Sequence, residues 1–160
     1  VEAVCEGIEG LVKPANYNTP GQVVISGELK AVKQAAQALK DAGARMVKPL
    51  AVGGAFHSEL MQSAREELAE AINNCELKEP ACPIYQNFDG EAHTDPTSIK
   101  SNLIAQLTGA VKWSQSMQKM LDDGASEFVG RGPGRVLSGM MKRIDRTASV
   151  EAKDAPVTAE

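Results

Sequence analysis

Cysteine is scarce in this 160-residue chain, and its three examples, Cys5, Cys75 and Cys82, form no C-x-x-C pair. An odd number at such spacings argues against a disulfide framework or a cysteine-based zinc site. It fits a reducing compartment, so a cytoplasmic location is expected. No apolar run approaches the ~20 residues that a membrane span requires, and no charged-then-apolar signal segment opens the chain. A basic stripe is missing too: 17 Lys and Arg against 21 Asp and Glu leave a net charge of −4. Neither nucleic acid nor membrane is therefore expected as a partner. Wholesale disorder is excluded, because 42% hydrophobic residues and 14 glycines are ordinary for a globular protein. Length alone suits one domain with a substantial core.

What is present reads as alternating helices and strands. VEAVCEGIE (1–9) places Val1, Val4, Cys5 and Ile8 at helical spacing. With no residue ahead of Val1 to cap it, that helix reads as cut at its front. After Gly10, the punctuation of Pro14, Pro20 and Gly21 surrounds an apolar run, Val23 to Ile25, that predicts a strand. Residues 28–42 predict a helix with Leu29, Val32, Ala36 and Leu39 on one face and Gly43 as its stop. RMVKPLAV (45–52) predicts a strand, broken at Gly53-Gly54. A long helix is expected from Ser58 to about Asn74, with Met61, Ala64, Leu68, Ala71, Ile72 and Cys75 inward, and a short strand in ACPIYQN. Asp95-Pro96 supplies an N-cap with Pro at the first helical position, opening a helix through Leu107. Trp113, Met117, Met120 and Leu121 mark another helix, stopped at Gly124. Glu127 to Val129 predicts a short strand, Gly130 to Gly134 a turn, and Val136 to Ile144 a final helix. The run from Thr147 lacks an apolar period, and 147–160 is expected to be a disordered tail. This alternation argues for α/β architecture, in a small βαβ-rich piece to about Val52 and a larger remainder. Buried, inert positions are expected for the cysteines, and core packing for Met117, Met120, Met140 and Met141.

Candidate chemistry centres on one of the two histidines. His93, in DGEAHTDP, reads as a solvent-exposed turn residue. His57 follows GGAF and precedes Ser58 at an expected helix start, where the positive end of the helix dipole disfavours imidazolium and keeps a neutral base available. The two glycines admit close backbone packing or a ligand. A catalytic base and a satisfied structural histidine both remain open. Gln106 lies beside the stripe Ile99, Leu103 and Leu107; a buried amide needs partners, so it braces the fold or orients another polar group. In GRGPGR, Arg135 stands where a dinucleotide fingerprint needs glycine, and no Lys-Ser/Thr follows for a phosphate loop. A tight turn into a helix is expected there, its amides still able to face an anion. A histidine base wants a nucleophile, yet none of the ten serines has glycine two positions away on both sides, so the G-x-S-x-G elbow is absent. Either His57 is not catalytic or its serine belongs to a segment outside this chain.

PANYNTPGQVVISG (14–27), GGAFHSELM (53–61), TDPTSIKSNLIAQLTGAVKW (94–113) and GPGRVLSG (132–139) occur in this order. Over roughly residues 1–146 the chain thereby resembles the malonyl-CoA:acyl-carrier-protein transacylases of bacterial fatty-acid synthesis. The resemblance implies an α/β chain holding the C-terminal part of an α/β-hydrolase-like large subdomain (53–146). With it comes most of an inserted ferredoxin-like small subdomain lacking its first strand (1–52). It implies the C-terminal half of the enzyme, with the serine elbow, the malonyl-pairing arginine and the oxyanion-hole donors upstream.

Carried over residue by residue, His57 matches the family's catalytic histidine. It would take the proton of the absent serine as that attacks the malonyl thioester, return one to the CoA thiol, and then activate the carrier protein's phosphopantetheine thiol. Gln106 matches the glutamine whose backbone carbonyl holds the histidine in place of a triad carboxylate. Phe56 falls where related polyketide acyltransferases read the acyl group, its ring leaving little space for an α-methyl branch. Asn16 and Asn18 match the NYN segment near the cleft. No cofactor is implied beyond malonyl-CoA as thioester substrate; the partners implied are malonyl-CoA, acyl carrier protein and the missing N-terminal half. Gly130-Arg131 replaces the family's Glu-Val, and Ala110 a common proline. Two other functions stay open: a non-catalytic module binding CoA or carrier protein, and a polyketide-type acyltransferase domain using a different acyl-CoA.

Overall fold

In a computed structural model, which describes residues 1–153, the first forty residues close around small side chains. A short helix α1 (Glu2–Glu6) is followed by strands β1 (Val12–Thr19) and β2 (Gln22–Gly27) and by helix α2 (Leu29–Asp41). Ala31 and Ala35 of α2 are buried against Cys5 and Val12, with Ile8, Ile25 and Val32 packed around them. Alanine at this contact lets α2 lie close on the β1–β2 ribbon, and each CH₂ buried there stabilises the fold by ~0.8 kcal/mol. The buried face is thus rotated from the expected one: Leu29, in the first turn, is 72% exposed. Gly43 stops α2 as expected, at φ 90°, and the N–H groups of Gly43 and Ala44 reach back to the Lys40 and Leu39 carbonyls.

β1 is a strand that propensity hides. Pro14 cannot donate to a ladder, and asparagine is depleted in strands. Even so, β1 pairs antiparallel with β2 from Val12 opposite Gly27 to Thr19 opposite Gln22, with irregularities at Pro14/Asn16 and Tyr17/Thr19 that absorb the misfit. Gly27 closes the ribbon at φ 155°, where any Cβ would overlap the Leu11 carbonyl. RMVKPLAV, by contrast, forms no strand. A strand is held by its neighbour's ladder more than by its own propensity, and the β1–β2 sheet is two-stranded among the described residues.

A 3₁₀ turn at Glu59–Met61 leads into α3 (Gln62–Asn73), so that helix begins four residues later than expected. It buries no residue. Its apolar side is only partly covered among the described residues, with Ala64 and Ile72 half buried and Leu68 exposed, and Cys75 and Cys82 are exposed rather than buried; Cys5 alone is enclosed. A hairpin of β3 (Ile84–Tyr85) and β4 (Ala92–His93) then precedes α4 (Pro96–Gln106). Lys100 of α4 caps the end of α3 by donating to the Asn73 and Cys75 carbonyls at 3.2 and 2.8 Å. The second core lies among α5 (Trp113–Asp122), β5 (Glu127–Arg131), α6 (Val136–Ile144) and β6 (Ser149–Lys153). Met117, Met141 and Ala148 are buried there against Trp113, Met120, Leu121, Phe128, Ile144 and Val150. Three of the four methionines pack as expected; Met140 stays outside the cluster.

β6 corrects the expected disordered tail. It pairs in parallel with β5 from Ser149 beside Glu127 to Lys153 beside Arg131. SVEAK alternates exposed and half-buried positions, a period of two that contains only two apolar side chains and so escapes notice in the sequence. Residues 154–160, the remainder of that tail, lie outside the described residues. The α/β alternation holds along the chain, with strands in three two-stranded sheets among the described residues.

Asp95 caps α4, accepting from Ser98 N–H at 2.8 Å and Ser98 Oγ at 2.7 Å, with Pro96 at the first position. The Ser98 hydroxyl and then the Ser98 N–H hold this carboxyl below the ordinary carboxylate range. A depressed folded pKa contributes stability that is complete above the unfolded value of ~4 and is lost as pH falls through the folded one. The melting-temperature advantage of the wild type over Asp95→Asn is therefore expected to shrink between neutral pH and about pH 3. Thermal circular dichroism checks this, and a pH-independent difference would contradict it.

Candidate functional site

His57 is delivered by a turn. Ser58 is fully buried, its hydroxyl donates to the Ala55 carbonyl at 2.6 Å, and its own carbonyl accepts from Met61 N–H at 3.0 Å. Between these anchors His57 takes φ 61°, the one non-glycine residue with positive φ among the described residues. That backbone costs a side chain ~1–2 kcal/mol, and it persists where the surroundings over-determine it. His57 does not sit at the start of an α-helix as expected, because α3 starts only at Gln62, after the 3₁₀ turn.

The ring is aimed by α4. His57 Nδ1 lies 3.1 Å from the backbone oxygen of Gln106, the last residue of the helix, where carbonyls have no intrahelical partner. A carbonyl only accepts, so Nδ1–H donates and Nε2 is left as the unprotonated nitrogen of the neutral ring. The Gln106 side chain turns the other way and donates to the carbonyls of Gly109 and Ala110 at 2.9 and 3.2 Å. Of the two uses left open for the Gln106 amide, the side chain takes the bracing one, at the turn after α4, while its main-chain carbonyl faces the histidine. Leu103, expected on the inner face, is 43% exposed, while Ile99 is buried.

The other candidates gather nearby along the chain and across β1. Phe56, next to His57, is half exposed, and its ring packs over Gly54, where a Cβ would come within 3.3 Å of it. Asn16 and Asn18 sit half buried on β1. Asn16 bridges to Val111, with Tyr17 N–H donating to Val111 O at 2.8 Å and Val111 N–H to Ala15 O at 2.7 Å. β1 is therefore stitched to the turn that Gln106 braces. A second stitch, Lys13 Nζ to Glu59 Oε1 at 2.5 Å, ties β1 to the residues just after His57. The Lys13 hydrogen bond holds the Glu59 carboxyl below its ordinary range, against the opposing effect of burial. Neither stitch was legible in the sequence: Lys13 and Glu59 are 46 positions apart, and no local pattern couples them. Burial, and then the bond from its hydroxyl to Glu2, push the Tyr17 phenol up to about 12.

With this geometry in place, the chain matches the acyl transferase domain family over residues 4–155. The chain belongs to that family. It is 41% identical over 150 residues to the malonyl CoA-acyl carrier protein transacylase of Bacillus subtilis, an alignment covering 94% of this chain and 47% of that protein. The corresponding protein of Staphylococcus aureus is 38% identical over 149 residues, covering 91% and 48%. Among solved structures, the enzyme of this kind from Streptococcus pneumoniae superposes with a TM-score of 0.92 at 38% identity, covering 96% of this chain and 51% of that one. A malonyl-transacylase in complex with its type II PKS acyl-carrier protein gives 0.92 at 36% identity, covering 97% and 51%. The chain thus spans about half the length of the curated relatives it matches.

Elsewhere in this acyl transferase chain, His93 departs from the exposed position expected of it. It is half buried in β4, its Nε2 donating to Asp89 Oδ2 at 2.8 Å. Burial opposes ionisation of Asp89, yet hydrogen bonds from Glu91 N–H, His93 and Asn102 hold its carboxyl below the ordinary range. The expected turn at 130–134 begins later, because Gly130 and Arg131 end β5; residues 130–134 line a shallow pocket of about 140 Å³ with Val136, Ser138 and Ala152, and Arg131 is exposed there. Among the described residues no cluster of His, Cys, Asp or Glu is fit to hold a metal ion, and no helix is long and apolar enough to cross a membrane.

Proposed function

We propose that this chain is the histidine-bearing part of an acyltransferase that moves malonyl from CoA to the phosphopantetheine thiol of acyl carrier protein by a ping-pong Ser-His mechanism. The observation that carries the reading is the Nδ1–H of His57 donating to the Gln106 carbonyl, which leaves Nε2 as a base. A serine outside this chain attacks the malonyl thioester carbonyl while Nε2 takes its proton. The imidazolium then protonates the departing CoA thiolate, leaving malonyl-serine and a neutral ring. In the second half Nε2 takes the proton of the phosphopantetheine thiol, the thiolate attacks the malonyl ester, and the serine oxygen recovers its proton from His57. The thioester supplies the activation, so the reaction uses no cofactor.

Several observations support this assignment. None of the ten serines stands in an elbow, and the chain matches about half of each relative. Phe56, Leu60, Leu103, Val136 and Leu137 are all more than 40% exposed, apolar surface suited to cover by the N-terminal half that carries the serine. In this reading 1–52 is the remainder of a ferredoxin-like small subdomain, 53–146 is the C-terminal part of the hydrolase-like one, and the enzyme works in the cytoplasm. Asn16 and Asn18 line the cleft from β1.

The test mixes this chain with the part of the Bacillus subtilis transacylase that it does not match, together with labelled malonyl-CoA and holo carrier protein. Transfer is expected in the mixture and not from this chain alone, and His57→Ala should lower the mixture's rate by ~10²–10⁴. Transfer by this chain alone, or by a mixture indifferent to His57→Ala, would contradict the reading. A mixture that binds carrier protein without transferring malonyl would favour a binding module. In the active mixture, Phe56→Ser should let methylmalonyl-CoA compete for acyl-enzyme formation. Unchanged discrimination would remove Phe56 from substrate selection.

A further inference from the structure

The contact between Gln106 and His57 depends on where α4 ends, and the β3–β4 hairpin grips the chain on both sides of that end. On the helix side, Gln86 is buried, its Nε2 donates to Ile99 O at 3.1 Å, and its Oε1 accepts from Asn102 Nδ2 at 3.1 Å. Asn102 also donates to Asp89 Oδ2 at 2.8 Å, beside the bond from His93 to the same oxygen. On the far side, Asn87 O accepts from Lys112 N–H at 2.7 Å. The Phe88 ring is seated so closely on Gly109 that a Cβ there would lie 2.7 Å from two of its carbons.

These attachments fall at 99, 102, 109 and 112, and Gln106 lies between them. Asn102 is one helical turn before Gln106, on the same side of α4. Gly109, under Phe88, offers the carbonyl that receives the Gln106 side chain. Buried Gln86 engages α4 through both ends of its amide, and a satisfied buried polar group permits few alternative positions, so the hairpin leaves the end of α4 little freedom to slide or unwind.

We infer that the β3–β4 hairpin is a clamp that positions the Gln106 carbonyl against His57, with Gln86, Asn102 and the Phe88–Gly109 contact as its working parts. The inference rests on the proposed role of the carbonyl in fixing the imidazole tautomer. Gln86 and Asn102 are positioning residues; they act on His57 through α4.

The test reads the tautomer directly, by nitrogen-15 NMR of the His57 ring in the full chain at about pH 8, above the ordinary imidazole range. The wild type is expected to show the Nδ1–H form. Gly109→Ala, which forces the Phe88 ring away, and Asn102→Leu, which breaks the amide pair on a half-exposed face, should each shift the dominant form to Nε2–H while circular dichroism stays unchanged. Val32→Ala, in the distant α2 core, supplies a destabilised control that should keep Nδ1–H. If Gly109→Ala does not fold, Asn102→Leu decides. A wild type in the Nε2–H form overturns the carbonyl's role and the clamp with it. A wild type in the Nδ1–H form with folded variants that keep it overturns the clamp alone.

Discussion

The rest of the structure turns on the contact between His57 Nδ1 and the Gln106 carbonyl, 3.1 Å apart, which fixes the tautomer of the neutral ring and the direction in which Nε2 faces. A backbone carbonyl is a neutral acceptor, so it fixes the tautomer without the charge that a carboxylate would add. It is also less adjustable than a side chain: its position is that of α4's last turn. The strained backbone of His57 and the buried Ser58 hydroxyl set the ring from one side, and the end of α4 sets it from the other.

The rest of the fold is arranged around this contact. The first core, around Ala31 and Ala35, holds β1. β1 in turn reaches the site twice, through Val111 beyond Gln106 and through the Lys13–Glu59 pair beyond His57. The second core, around Met117 and Met141, carries α5, which continues directly from that turn. Two small apolar clusters thus brace one hydrogen bond, and much apolar surface beside it stays uncovered.

Helix punctuation was the most legible part of the sequence. Asp95-Pro96 and Gly43 announced a start and a stop through local chemistry, and both stand in the structure. Strands were less legible, because pairing decides them: β1 forms despite Pro14, RMVKPLAV does not form despite its apolar run, and SVEAK pairs with β5 despite having only two apolar side chains. His57 and Gln106 drew attention as anomalies in their own segments, and the family resemblance joined them. Their contact spans 49 positions, and the positive φ of His57 carries no signature in residue type. Gln86 and Asp89 of the hairpin carried no local sign of their contacts, because their partners Ile99 and Asn102 lie on α4, outside any local window.

The central claim is that this chain contributes the base and not the nucleophile. It is tested most directly by finding where the malonyl group rests between the two half-reactions. Labelled malonyl-CoA would be added to this chain together with the complementary part of a relative, without carrier protein, and the acylated residue located by peptide mass spectrometry. The label is predicted on a serine of the complementary part, with none on this chain. Malonyl bound to any of this chain's own ten serines would contradict the account.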